Sequence, residues 1–115
     1  MKHTGGCHCG KVRFEVEMNV ENAISCNCSI CAKRGSLLDF VPESQFRLLS
    51  GESDLSDYLF NKKVVHHLFC KTCGILSFGK GTAPDGSKMV AINVRSLDGI
   101  DLTKLKIQNY DGRNH

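Results

Sequence analysis

The clearest pattern along this 115-residue chain is the alternation of apolar and polar side chains. Between residues 11 and 18 every second side chain is apolar and arginine or glutamate stands between, which predicts a strand with one buried face. Runs rich in β-branched, aromatic and leucine residues predict further strands. The predicted strands are residues 11–18, 36–41, 55–60, 64–69, 75–79, 88–94 and 105–108.

Helical patterns are few. No window of 11 or more residues keeps an amphipathic period of 3.6. Single helical turns are predicted at residues 29–34 and 42–46, the second with Pro42 at its first position. The chain shows no linker, repeat or low-complexity tract, and its length fits one domain over residues 1–115. We therefore predict a mainly β domain of short strands, with the cysteines on the turns between them.

Composition and hydropathy favour a cytoplasmic protein of ordinary globular type. The apolar share is 41% and the charged share 23%, both typical of globular domains. No apolar run approaches the roughly 18 to 20 residues of a membrane span, so we expect no membrane contact. The first residues, 1–6, lack the apolar core of a secretory signal, and we expect a thiol-reducing cytosol.

The net charge of +3 does not indicate a nucleic-acid partner. It counts the seven cysteines as neutral, although metal-bound cysteines are thiolates. Seven thiolates with two zinc ions would remove three charges and leave the chain near neutrality. Lys62 and Lys63 are the only adjacent lysines, and no dense basic stripe is present. We therefore expect no nucleic-acid binding, and the sequence does not specify an oligomeric state.

Seven cysteines in a reducing compartment favour metal binding or catalysis over disulfides. Cys70-Lys71-Thr72-Cys73-Gly74 has the C-x-x-C-G spacing of a zinc knuckle, in which both sulfurs face one ion. A thioredoxin-like redox pair is the alternative, but that motif opens a helix, whereas this one lies between two predicted strands. The C-x-C-G turn at Cys7 and Cys9 has the same character.

Pairing these two motifs completes one closed metal site. A structural zinc needs four ligands, and the quartet (Cys7, Cys9, Cys70 and Cys73) would supply them. The site would tie the first strand to a distant hairpin. Structural zinc binding can contribute on the order of 10 kcal/mol to folding, which is large for so small a core.

The remaining cysteines form the trio (Cys26, Cys28 and Cys31) within six residues. Three thiolates on one loop can hold a zinc ion and leave its fourth position for water or substrate, as catalytic zinc sites do. Three other interpretations stay open at this point. A histidine could close the site, with His8, His66 and His67 as candidates; the thiols could be metal-free; or the first cysteine motif could join the trio.

The three cysteine motifs together resemble those of a known family. G-G-C-H-C-G, S-C-N-C-S-I-C-A-K-R-G and F-C-K-T-C-G, in this order, are similar to the glutathione-dependent formaldehyde-activating enzyme family, the Gfa/CENP-V domain. The likeness extends to residues 93–98 and 110–113. It implies an Mss4-like fold of several small coiled antiparallel β-sheets stapled by two zinc ions. By this resemblance the quartet holds the structural zinc and the trio the catalytic one.

The activity that the resemblance implies is the reversible condensation of formaldehyde with glutathione to S-hydroxymethylglutathione, a carbon–sulfur lyase reaction. The chain is shorter than the members behind the family's name, which leaves the substrate itself open. Our hypothesis is that a small-molecule thiol such as glutathione takes the vacant position on the trio's zinc. The alternatives are a non-catalytic zinc module that binds a partner, and a thiol-redox or metal-handling protein.

Two groups near the motifs are candidates for the remaining chemistry. Lys33 and Arg34 directly follow the trio and could stabilise an alkoxide or hold a carboxylate of glutathione, although most such side chains are simply solvated. Either His66 or His67 could donate a proton, but not both, because neighbouring strand residues face opposite sides. The phenylalanines expected in the core are Phe14, Phe40, Phe69 and Phe78.

Overall fold

Ten short strands form two sheets in the computed structural model, which describes residues 1–59 and 66–111. The one α-helix of these residues is six residues long, and none of their helices has the length and apolar character to cross a bilayer. The elements are β1 (Lys2–Gly6), β2 (Arg13–Glu17), β3 (Asn22–Cys26), α1 (Ser29–Arg34), β4 (Leu38–Pro42), β5 (Phe46–Ser50), β6 (Leu55–Tyr58), β7 (His66–Cys70), β8 (Leu76–Thr82), β9 (Lys88–Asn93) and β10 (Lys106–Tyr110), with 3-10 turns at Glu43–Gln45, Glu52–Asp54, Val94–Ser96 and Leu102–Lys104.

The predicted class is confirmed, because the fold is mainly β and consistent with the Mss4-like type. Every predicted strand is present with shifted ends, and the turns predicted at 29–34 and 42–46 are α1 and a 3-10 turn. The strand predicted to stop before Pro42 includes it, since Pro42 pairs with Met89. Parts of the strands predicted at 55–60 and 64–69, namely residues 60, 64 and 65, lie outside the described residues.

Three strands, β1, β3 and β5, were not predicted. None of them carries a clean apolar alternation, and β1 ends in two glycines. Close pairing explains the glycines: a Cβ added to Gly5 would stand 2.6 Å from the Ser96 carbonyl oxygen. Tertiary pairing therefore decides these strands where the local pattern does not.

The core lies between the two sheets. The small sheet has the order β1-β2-β5, and the large one β10-β3-β4-β9-β8-β7-β6, in which only the β10–β3 pair is parallel among the described strands. The predicted apolar face of β2 is confirmed, since Phe14 and Val16 are buried. Phe14 of the small sheet packs against Phe78 of the large one, with ring centroids 6.0 Å apart, and Phe46 lies 4.6 Å from Phe78.

The opposite face of the large sheet carries the functional candidates. Strand register places Phe40, Ala91, Gly79 and His67 side by side in one row across β4, β9, β8 and β7. The prediction of a core position for Phe40 is wrong, because its side chain lies on this outer face and is 47% exposed. Val41, its neighbour along β4, is the residue that faces the core.

Phe69 also departs from its predicted place. It is partly buried and lines a surface cavity instead of joining the buried cluster around Phe14 and Phe78. The runs at 36–41 and 64–69 are apolar on both faces, so their periodicity could not tell which phenylalanine faces inward.

Candidate metal centres and the cavity beside the trio

The quartet comes together between two turns distant in sequence. Cys7 and Cys9 follow β1, whereas Cys70 ends β7 and Cys73 lies in the turn before β8. The Sγ atoms of Cys7 and Cys9 are 3.5 Å apart, those of Cys9 and Cys70 are 3.6 Å apart, and all four lie within 4.8 Å of one another. A tetrahedral zinc ion with Zn–S bonds of about 2.3 Å holds its sulfurs roughly 3.8 Å apart. The four sulfurs therefore fit a closed zinc site.

Backbone N–H groups prepare the quartet for negative charge. The N–H groups of Cys9 and Ile75 lower the pKa of Cys73 to about 6. The N–H of Lys11 also lowers the pKa of Cys9, but burial and the neighbouring thiols outweigh it and raise that pKa to about 11. The sulfurs are so close that they cannot all ionise without a cation between them, as expected of a metal-binding set.

The trio is built by one short segment. Cys26 ends β3, Cys28 precedes the first turn of α1, and Cys31 lies inside the helix. The helix ends at Gly35, whose N–H donates to the Cys31 carbonyl oxygen over 2.9 Å. The three Sγ atoms lie within 4.8 Å of one another, so the trio can hold one metal ion.

Opposing effects set the pKa values within the trio. Burial raises the pKa of Cys28, but the backbone N–H groups of Cys31 and Ile30 and the neighbouring thiols together outweigh burial. The net effect is a pKa below the usual value of a thiol. The pKa of Cys31 rises to about 12, first through burial and then through Cys28. Cys28 thus ionises more readily than Cys31, whose resistance to a second charge a bound cation would relieve.

The structure separates the two cysteine groups as predicted. Within residues 1–59 and 66–111, the clusters that could hold a metal ion are the quartet and the trio, and neither includes a histidine. The interpretation in which the first cysteine motif joins the trio is therefore wrong. The cluster of the trio contains none of His8, His66 and His67, so the geometry does not support closure of that site by a histidine.

A cavity of about 410 Å³ opens beside the trio on the outer face of the large sheet. Cys26 and Cys31 line it together with Arg34 and His67. Most of its remaining wall is apolar: Ile24, Leu38, Phe40, Leu76 and Ala91. Phe40 was not predicted here, and the apolar residues on both faces of its strand were the only sequence signal for a second apolar surface.

Arg34 and His67 face each other in this cavity. The Nη2 and Nη1 atoms of Arg34 lie 3.4 and 3.5 Å from Nδ1 of His67. A guanidinium can only donate, so Nδ1 accepts and the proton of a neutral His67 sits on Nε2. Burial and then the charge of Arg34 lower the pKa of His67, which favours this neutral form at pH 7.

The neighbouring candidates occupy different surroundings. Lys33 is exposed on α1 and is not among the residues that line the cavity. His66 is paired with Asp57, with 2.6 Å between Nδ1 and Oδ2. Of the two adjacent pairs predicted from sequence, the structure thus brings Arg34 and His67 to the trio.

A second cavity of about 590 Å³ lies on the other side of Arg34. It shares Arg34 and Leu76 with the first, and a second guanidinium, that of Arg95, contributes to its wall. Hydroxyl and amide groups of Ser96 and Asn93 add polar contacts. One arginine therefore borders both an apolar and a more polar space.

Comparison with known proteins identifies the family of this chain. The sequence model of the glutathione-dependent formaldehyde-activating enzyme family matches residues 2–111. The chain belongs to this family. A Rhodobacter sphaeroides protein of known crystal structure, a structural-genomics target, is similar to this family member at 30% identity. The match covers 91% of this chain and 99% of that one, with a TM-score of 0.78.

The match to the family model confirms the family that the cysteine motifs predicted, and that family is a family of enzymes. The description of the family as glutathione-dependent implies a thiol substrate. Both cysteine groups of this family member can hold a metal ion, and soft thiolate ligands suit zinc.

Proposed function

We propose that this chain is a zinc-dependent carbon–sulfur lyase that makes and breaks the C–S bond of a thiol–aldehyde adduct. S-hydroxymethylglutathione, formed from glutathione and formaldehyde, is the reference substrate. The observation that carries the proposal is the position of the trio, since two of its cysteines line a cavity that also contains Arg34 and His67. The quartet provides four ligands by itself, so we assign the structural zinc to the quartet and the catalytic zinc to the trio.

When bound by the trio, zinc supplies a coordination position at which a substrate thiol is deprotonated. Deprotonation alone is a small effect: a free thiol of pKa near 8.5 gains at most about 30-fold in thiolate at pH 7. Holding the sulfur and the aldehyde together in a reactive orientation can contribute roughly 7 to 11 kcal/mol. The walls of the cavity therefore contribute chiefly by placing the two reactants.

The bond changes balance without a further reactant. The thiol gives its proton to water, the thiolate sulfur donates an electron pair to the carbonyl carbon, the C=O π pair moves to oxygen, and the resulting alkoxide takes a proton back from water. Cleavage of the adduct runs through the same steps in reverse. Arg34 and the Nε2–H of His67 are the donors that would stabilise the alkoxide, and loss of one such donor typically costs about 10²- to 10³-fold in rate.

The second cavity supports glutathione as the thiol. Glutathione carries two carboxylates, and the guanidinium groups of Arg34 and Arg95 are suited to bind them. Arg34 borders both cavities, so a peptide thiol could place its sulfur near the trio and a carboxylate across Arg34.

Exchange NMR tests the activity directly. With the zinc-loaded protein present, formaldehyde, glutathione and their adduct should interconvert faster than they do spontaneously. Cys28→Ser, which removes one ligand of the trio, should abolish the acceleration and retain the fold. An interconversion rate equal to the spontaneous one would reject the proposed reaction.

The role of Arg34 is tested by Arg34→Gln, which removes the charge and the fork of donors. We expect a rate loss of about 10²- to 10³-fold. Arg47→Gln is the matched control, because Arg47 is exposed on β5 of the small sheet. Lys33→Gln tests the other sequence candidate, and a larger loss at Lys33 than at Arg34 would contradict the assignment.

A further inference from the structure

The cavity beside the trio is larger and more apolar than a one-carbon aldehyde requires. Its volume of about 410 Å³ corresponds to roughly 14 water molecules at about 30 Å³ each, whereas formaldehyde has two heavy atoms. We propose that this cavity binds the alkyl substituent of a larger aldehyde, so that the preferred adduct joins a thiol to an aldehyde of several carbons. The inference rests on the proposed function of the trio.

The strand register explains why space exists here. In the row across the large sheet, Ala91 and Gly79 lie in the middle, and Phe40 and His67 lie at the two ends. Neighbouring strands are about 4.8 Å apart, so the two large side chains stand roughly 14 Å apart with a single methyl group between them. The two small residues form the floor of a trough, and the large ones form its ends.

The apolar part of the wall, beside the polar groups of Arg34, His67 and Tyr110, favours an apolar occupant. Ile24 and Leu38, which are paired across β3 and β4, line the cavity together with Phe40. These side chains offer no hydrogen bond to a small hydrated aldehyde, but an alkyl chain would displace water from them. Phe40 keeps 47% of its surface exposed, which leaves apolar area that a ligand can cover.

The apolar surface also continues beyond the first cavity. A groove of about 300 Å³ shares Phe40 and Ala91 with it and extends along the sheet to Met89 and Thr82, with Lys80 at its wall. The trough therefore leads away from the trio over the outer face of the sheet. A chain attached to the carbonyl carbon would find contacts in this direction, whereas the more polar cavity across Arg34 remains available to the thiol.

The test compares formaldehyde, acetaldehyde, propanal and butanal with glutathione and the zinc-loaded protein. For each aldehyde, exchange NMR gives the acceleration over the spontaneous reaction. Burial of one methylene group favours binding by about fourfold, so the acceleration at low aldehyde concentration should rise by about that factor per carbon. An acceleration that is flat or falls from formaldehyde to butanal overturns the inference.

Variants connect the preference to the trough. Ala91→Leu fills its floor and should lower the butanal-to-formaldehyde ratio about tenfold, since most of the advantage of about fourfold per methylene group would be lost. Phe40→Ala removes one end and should lower the same ratio. Leu49→Ala is the matched control, because Leu49 is 48% exposed but lies on β5 of the small sheet, and its ratio should equal that of the unchanged chain. Equal ratios in all four proteins would contradict the assignment of this cavity.

A binding measurement separates this inference from the proposed reaction. Butane-1-thiol should shift the backbone amide resonances of Gly79 and Ala91 at lower concentrations than 2-mercaptoethanol does. If no aldehyde reacts faster but these shifts occur, the proposed reaction fails and the apolar site stands. If formaldehyde reacts faster but chain length, Ala91→Leu and butane-1-thiol have no effect, the reaction stands and the apolar site is rejected.

Discussion

Replacing Cys70 with serine should unfold the chain, whereas replacing Cys28 should not. Cys70 has no exposed surface, and its group joins segments 61 residues apart in sequence, from Cys9 to Cys70. A chain of this length has a net stability of about 6 to 17 kcal/mol, at roughly 0.05 to 0.15 kcal/mol per residue. Structural zinc binding contributes on the order of 10 kcal/mol, so loss of the closed site removes most of that stability.

The trio has a different position in the fold. Its ligands lie within six residues, so a metal ion there orders only the end of β3 and the start of α1. Cys28 is the N-cap of α1 and its side chain makes no capping hydrogen bond, whereas serine is a favoured N-cap residue. Cys28→Ser should therefore remove one metal ion with little change in the free energy of unfolding.

Native mass spectrometry and urea denaturation distinguish the two outcomes. The unchanged chain should carry two zinc ions and Cys28→Ser one, with nearly equal urea midpoints, whereas Cys70→Ser should lack a cooperative transition. Equal loss of the fold in both variants, or a Cys70→Ser protein that unfolds like the unchanged chain, would refute the division into a structural and a local site.

Three further predictions concern stability. Phe78→Ala should cost about 3 to 5 kcal/mol in urea unfolding, because Phe78 is fully buried between the two sheets, and a loss below 1 kcal/mol would contradict that packing. Arg13 and then Thr4 lower the pKa of Asp98. The stabilisation by Asp98 is therefore present above the unfolded-state pKa of about 3.9 and is lost as pH falls through the folded-state pKa. The free energy of unfolding of Asp98→Asn should be lower than that of the unchanged chain by at most about 1 kcal/mol at pH 6, since the Arg13–Asp98 pair is exposed. This difference should shrink towards pH 3, and a difference that grows on acidification would contradict the lowered pKa of Asp98. Gly51→Ala should lower the thermal unfolding midpoint more than Gly86→Ala does. Both positions have a φ of +89°, but only at Gly51 would a Cβ meet backbone, 2.4 Å from the Lys11 carbonyl oxygen. Equal decreases of the midpoint would exclude this clash.

Local patterns carried much of the fold and of the metal chemistry. The alternation around Phe14 and Val16 predicted both a strand and its buried face, because a period of two places alternate side chains on one side of any strand. The spacing within the trio predicted its grouping for a similar reason, since ligands that lie within six residues of chain can converge through one turn and need no distant partner.

What the sequence alone could not provide depends on pairing between distant segments. Strand β1 has no apolar period and exists because it pairs with β2, and Phe40 faces outward because β4 is apolar on both sides and only the packing of the two sheets selects the inner one. Likewise, neither the helix that carries Arg34 nor the strand that carries His67 contains information on the other. The alternation of apolar residues and the spacing of the cysteines thus determined a β protein with two cysteine groups that can hold metal. The register of the large sheet, a long-range property, decided which side chains surround the trio and how much apolar space lies beside it.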